Sequence, residues 1–259
     1  MKISELYPVS GDQLDDNFSD STLQIKPKYF NGTTKITNIG NTNLPAFDGY
    51  LGNSRSDRRY LYIFKDISMI KDICCLYSDR QKIRIYDKRI DYSFRGFTQS
   101  YSHLYQQEVM PPETIIKGRS LILSGQWSTE YYHFVNEILG KFFLFNHFFK
   151  VEEIDNIILR GSDIKFIKEI SNLLWGETVK ILDLDKVNTC QFEVLILPSM
   201  LTDPGFSSYQ YVDFMNHTLL PKVLKTSKCL KTENVFINRR GSRKLGINEM
   251  SLQQICNQY

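Results

Sequence analysis

From Ser120 to Leu197 the chain changes its hydrophobic period repeatedly, and few folds accept that rhythm. Ser120-Leu121-Ile122-Leu123-Ser124, Asn156-Ile157-Ile158-Leu159, Val179-Lys180-Ile181-Leu182 and the run from Phe192 to Leu197 are apolar segments of strand length. Helix-patterned stretches at about residues 129–149 and 162–175 separate the first three. Parallel neighbours cannot be joined by a tight turn and need a crossover, so strands alternating with helices predict a parallel sheet flanked by helices, an α/β lobe. The last two strands extend the same sheet. A helical stretch from about residue 208 to 224 then leads to a polar connector over residues 225–233. With 42% hydrophobic and 13% aromatic residues in 259, material for a core is ample.

The segment before this lobe has a different texture. Over residues 29–57, Gly, Asn, Thr and Pro recur at short spacings, as in Asn31-Gly32-Thr33-Thr34, which favours turns and short strands. Three strand-like runs follow, Tyr60–Phe64, Ile73–Tyr77 and Lys82–Tyr86, and polar turns between them predict a small antiparallel sheet.

Beyond the connector, Val235-Phe236-Ile237 reads as a buried strand that runs into a cationic loop and a helix start. Arg239, Arg240, Arg243 and Lys244 place four cations within six residues. Guanidinium groups grip phosphate oxygens bidentately, so Arg239 and Arg243 are candidate diphosphate ligands. Asn248 offers an N-cap, and the backbone N–H groups of the helix start would add to the same anion site. Glu249 would orient an arginine or help to cap the helix rather than touch phosphate. The alternative for this loop is a solvated basic turn.

The run Phe236-Ile237-Asn238-Arg239-Arg240, then Arg243, then Ile247-Asn248-Glu249 resembles the strand, arginine and Asn-Glu signature of glycosyltransferase family 61. An earlier block, Gly125 to Leu139 with Tyr131-Tyr132-His133-Phe134 and Glu137, resembles that family's aromatic-His-aromatic start of a long helix. The resemblance spans roughly residues 119–259 and leaves the first hundred or so unmatched. It implies a GT-B-like architecture, with residues 1–115 a small β-rich N-terminal region, 116–225 a Rossmann-like first lobe with a parallel sheet, and 226–259 the start of a second nucleotide-binding lobe. Relative to the family the second lobe is incomplete, since a lobe of ordinary size needs roughly a hundred more residues.

The activity implied by the resemblance is inverting, metal-independent transfer of a sugar from a nucleotide-diphosphate donor to a glycan or lipid-linked glycan acceptor, in the setting of surface polysaccharide synthesis. The arginine loop would stabilise the leaving diphosphate. His133, or Glu137 four residues on and on the same helical face, would remove the acceptor's proton. The bland alternative is a packed histidine among aromatics, with Glu137 paired to Lys141. An incomplete donor lobe also raises a rival from another class, a non-catalytic remnant or a subunit that needs a companion or oligomeric partner.

Other features narrow these readings. A net charge of +3 falls far short of a dedicated nucleic-acid binder, and no nucleic-acid partner is expected. The N-terminus lacks a signal-peptide core, and Phe142–Phe149 is too short to cross a bilayer, so the expected location is the cytoplasm, at most against the inner face of a membrane. Cys74, Cys75, Cys190, Cys229 and Cys256 show no paired ligand spacing, and no cofactor is expected. Asp183-Leu184-Asp185 imitates a metal-binding Asp-x-Asp but reads as a decoy at a strand end. Asp203, before Pro204-Gly205, reads as a turn residue. The aromatics from Tyr131 to Phe149 surround most of their helix, which predicts burial on several sides.

Overall fold

The computed structural model describes residues 7–9, 28–34, 55–70, 72–78, 83–85, 108–109, 111–125, 127–176, 178–201 and 209–226. The chain divides into two units, Met1–Pro221 and Lys222–Tyr259; of the second, residues 222–226 are described.

Nine strands build one mixed sheet: β1 (Tyr7–Val9), β2 (Lys28–Thr34), β3 (Arg55–Ile70), β4 (Asp72–Ser78), β5 (Ile83–Ile85), β6 (Thr114–Leu123), β7 (Asn156–Leu159), β8 (Lys180–Asp183) and β9 (Thr189–Pro198). Their order is β1-β5-β4-β3-β9-β6-β7-β8, and β2 pairs with β3 off this path. The expected alternation after Pro112 is present. β9, β6, β7 and β8 run parallel to one another, with Ser120 opposite Asn156 and Asn156 opposite Lys180. The expected antiparallel set β3–β4–β5 is present as well.

These two sets form one sheet. β3 lies antiparallel along β9 from Leu61 opposite Pro198 to Ile70 opposite Thr189. The boundary expected at 115/116 therefore falls inside a continuous ladder. β3 is also longer than its apolar run, because Lys65-Asp66 does not end it. Asp66 adopts φ 52°, which a short polar side chain tolerates better than most, and Ile67 and Met69 resume the buried face beyond it.

Among the described residues, three helices of more than one turn accompany the sheet. Helix α1 runs through Tyr131–His133, a π-helical turn Phe134–Ile138, and Leu139–Phe148. Helix α2 spans Lys165–Trp175. Helix α3 runs through Tyr209–Phe214, a second π turn Met215–Leu219, and Leu220–Thr226. Strand side chains alternate between faces, and the core follows that period. Leu121, Leu123, Ile157, Leu159 and Ile196 form one cluster with Phe134, Ile138, Phe142, Phe145, Ile167, Trp175, Tyr211 and Phe214 of the helices. Ile122, Ile158, Leu195, Leu197, Tyr62 and Phe64 form the other. All three described helices thus lie on one face. The β8–β9 connection crosses the opposite face, where Leu184 and Val187 pack into the second cluster, as a right-handed crossover requires.

β6 bends where its register to β9 shifts, between Ile116 and Arg119. Gly118 adopts φ 77° there, and a Cβ would stand 2.3 Å from Asp155 Oδ2, which itself accepts from Arg119 N at 2.8 Å. Only glycine admits both the backbone angle and that carboxylate.

Candidate functional site

In open α/β sheets the carboxyl ends of the parallel strands are where loops and helix starts converge. Here Ser124–Glu130 follows β6, Arg160–Ile164 follows β7, Leu184–Lys186 follows β8 and Ser199–Leu201 follows β9. His133 and Glu137 stand at this edge, in the first turns of α1.

The expected pair is in contact. His133 Nδ1 lies 2.7 Å from Glu137 Oε1, with side-chain exposures of 21% and 11%. With Glu137 as a carboxylate, which only accepts, Nδ1 is the donor of this bond and Nε2 keeps its lone pair. The π turn begins at the residue after His133 and contains Glu137. Such turns interrupt α-helices mainly as isolated insertions, frequently at functional sites. Trp127 and Tyr132 both lie against the imidazole, with ring centroids at 5.1 and 5.3 Å. From the other element, Tyr211 of α3 donates its hydroxyl to the Val135 carbonyl inside the π turn, where an α-helical acceptor pattern is broken. Burial raises the Tyr211 hydroxyl pKa, so it stays a donor.

Lys141 does something other than balance Glu137. Its side chain is 1% exposed, and Nζ donates to the Ser124 carbonyl at 2.6 Å, tying α1 to the end of β6. Ser124 and Ser128, on either side of Gly125, are buried, and their hydroxyls have no hydrogen-bond partner among the described residues. Ser124 and Ser128 lie in the β6–α1 connection, and His133, Glu137 and Lys141 lie on α1 itself.

The Asp-x-Asp segment serves as a staple. Asp183 Oδ2 accepts from Ser162 N at 3.0 Å and Ser162 Oγ at 2.8 Å, while Oδ1 accepts from Asp185 N at 3.0 Å. Partial burial pushes its pKa up, but these bonds and one from the Gly161 backbone outweigh that and leave it below 3.8. Asp185 pairs with Arg160 at 3.0 Å, and Lys186 with Asp163 at 2.8 Å. The Ser162–Asp183, Arg160–Asp185 and Asp163–Lys186 interactions join the loop after β7 to the end of β8 and the turn that follows it. Gly161 sits at φ 66° in that junction, where a Cβ would meet Ile164 and Thr129 within 3 Å. Among the described residues no group of three or more His, Cys, Asp or Glu side chains could hold a metal ion.

Of the other residues singled out in the sequence, Arg239, Arg243, Asn248 and Glu249 lie outside the described residues, as does Asp203. The aromatic face of α1 divides. Phe134, Phe142 and Phe145 are buried as expected, whereas Tyr131 and Tyr132, in the first turn of α1, stand exposed. Trp127 and Lys141 were not singled out as parts of the site. The available signals were a tryptophan in a Ser/Thr-rich turn directly before a helix, and a lysine two helical turns after His133 among phenylalanines. No helix of the described residues is long and apolar enough to cross a membrane. No known protein family, curated protein or solved structure matches the chain.

Proposed function

We propose that this protein is a glycosyltransferase of the family 61 type, with a GT-B-like arrangement, that transfers a sugar from a nucleotide-diphosphate donor to a glycan acceptor with inversion. The observation that carries the reading is the His133–Glu137 pair: a partly exposed imidazole, oriented by a carboxylate at 2.7 Å, at the carboxyl edge of a parallel sheet. A base so oriented is what acceptor activation requires. Nε2 takes the acceptor's hydroxyl proton as that oxygen attacks the anomeric carbon. The bond from that carbon to the diphosphate oxygen breaks on the opposite side, which inverts the centre. Glu137 stabilises the imidazolium that forms.

The departing diphosphate carries the developing negative charge, and stabilising it is ordinarily a large share of such catalysis. The sequence offers Arg239 and Arg243 for this, with Asn248 and Glu249 shaping the loop, in place of a metal ion. The acceptor is a glycan or lipid-linked glycan of a surface polysaccharide, used at the cytoplasmic face of a membrane. Calorimetric titration of the full chain with UDP, GDP and CMP and their sugars tests the donor half. Saturable binding of one series, lost in Arg239→Ala, is expected; no binding by folded protein would leave a non-catalytic or companion-dependent role in its place.

A further inference from the structure

Three large aromatic side chains stand exposed close together between positions 127 and 132: Trp127 at 38%, Tyr131 at 64% and Tyr132 at 50%. Further along the same helix Phe134, Phe142 and Phe145 are buried, so the helix has a core to offer its rings and these three are kept out of it. They are not scattered. Trp127 and Tyr132 both pack against His133, and Tyr131 makes an edge contact with Phe166 of α2 with centroids 5.4 Å apart. The result is a cluster of exposed rings, two of them against the partly exposed imidazole.

The chemistry of the cluster selects its occupant. A pyranose has an apolar face of C–H groups and a rim of hydroxyls. It stacks on an aromatic face while its rim stays hydrogen-bonded, and indole and phenol rings, apolar in body and polar at the tip, suit both demands. A ring stacked on Trp127 or Tyr132 lies next to His133, so one of its rim hydroxyls meets the imidazole.

We propose that Trp127, Tyr131 and Tyr132 form a stacking platform that holds a pyranose ring of the acceptor and presents its hydroxyl to His133. The proposal rests on the transferase reading above, in which His133 is the acceptor base. Trp127 and Tyr132 both touch His133 and reach solvent, and Trp127 offers the larger ring.

The chain has two tryptophans, and Trp175 is 3% exposed, so a fluorescence change on adding a neutral saccharide reports Trp127. Short homo-oligosaccharides of glucose, galactose, mannose and N-acetylglucosamine are titrated into the full chain by fluorescence and by calorimetry. One series should give a saturable signal. Trp127→Ala should bind it at least about tenfold more weakly, whereas Trp127→Phe and Tyr132→Phe, which keep a ring, should stay within about threefold. Circular dichroism confirms that each variant is folded. Equal affinity of Trp127→Ala, or no saccharide binding at all, overturns the platform. Saccharide binding that depends on Trp127, without sugar transfer from any nucleotide donor, upholds the platform and removes the transferase reading. Transfer with an acceptor KM unchanged in Trp127→Ala does the reverse.

Discussion

Asp183 offers a stability test whose size and pH dependence both follow from geometry. Its carboxylate receives three hydrogen bonds, from Ser162 N, Ser162 Oγ and Asp185 N, at 2.8–3.0 Å. In Asp183→Asn one oxygen becomes an NH2 group. If it replaces Oδ1, it faces the Asp185 N–H. If it replaces Oδ2, it faces the Ser162 N–H. Either way one backbone donor loses its acceptor, and the remaining bonds lose charge assistance. An unmatched buried donor costs about 1–3 kcal/mol, and partial solvation of this site reduces the expected loss to about 1–2 kcal/mol. Because the folded pKa lies below the ordinary value of 3.8, folding favours the ionised form. Its contribution is fully present above the unfolded pKa and is lost as pH falls through the folded one. Urea unfolding of both proteins at pH 7, and in steps below pH 4, reads this directly. The gap should be full at neutrality and shrink in acid. A gap below about 0.5 kcal/mol at pH 7, or one that stays constant into strong acid, refutes the staple. A metal-ligand role would show instead as stabilisation by a divalent cation that the variant lacks.

Two further outcomes follow from buried groups. Tyr211→Phe leaves the Val135 carbonyl without its donor from α3 and should cost about 1–2 kcal/mol in chemical denaturation, with faster amide exchange in the Phe134–Ile138 turn; unchanged exchange there would contradict the tie. Burial pushes the Cys190 thiol up to about 12, so in a variant whose other cysteines are replaced by serine a thiol reagent at pH 8 should react only as the protein unfolds, and rapid labelling of the native state would contradict its burial in the sheet.

What the sequence discloses here depends on the range of the contacts involved. The parallel strands β6 to β9 and helices α1 and α2 lie close to their expected positions, because period and length are local properties of segments such as Asn156–Leu159 and Lys165–Trp175. The His133–Glu137 contact was equally legible, being one helical turn apart. The union of the two sheets was not. It depends on β3 pairing with β9 across more than a hundred residues, and neither strand's composition names its neighbour. Nor was the role of Lys141, whose partner is a backbone carbonyl 17 positions away. Tyr131 and Tyr132 looked like core for the same reason: a helical pattern reports which side chains share a face, but it does not report which of them the core covers.

The central claim is that His133, oriented by Glu137, activates a sugar acceptor. It is tested most directly by the single-turnover rate of sugar transfer to acceptor for wild type, His133→Ala and Glu137→Gln, with the donor saturating. The account predicts a loss of about 100-fold or more for His133→Ala, as expected for removing a general base, and a smaller loss for Glu137→Gln. Transfer by His133→Ala within about threefold of wild type would contradict it.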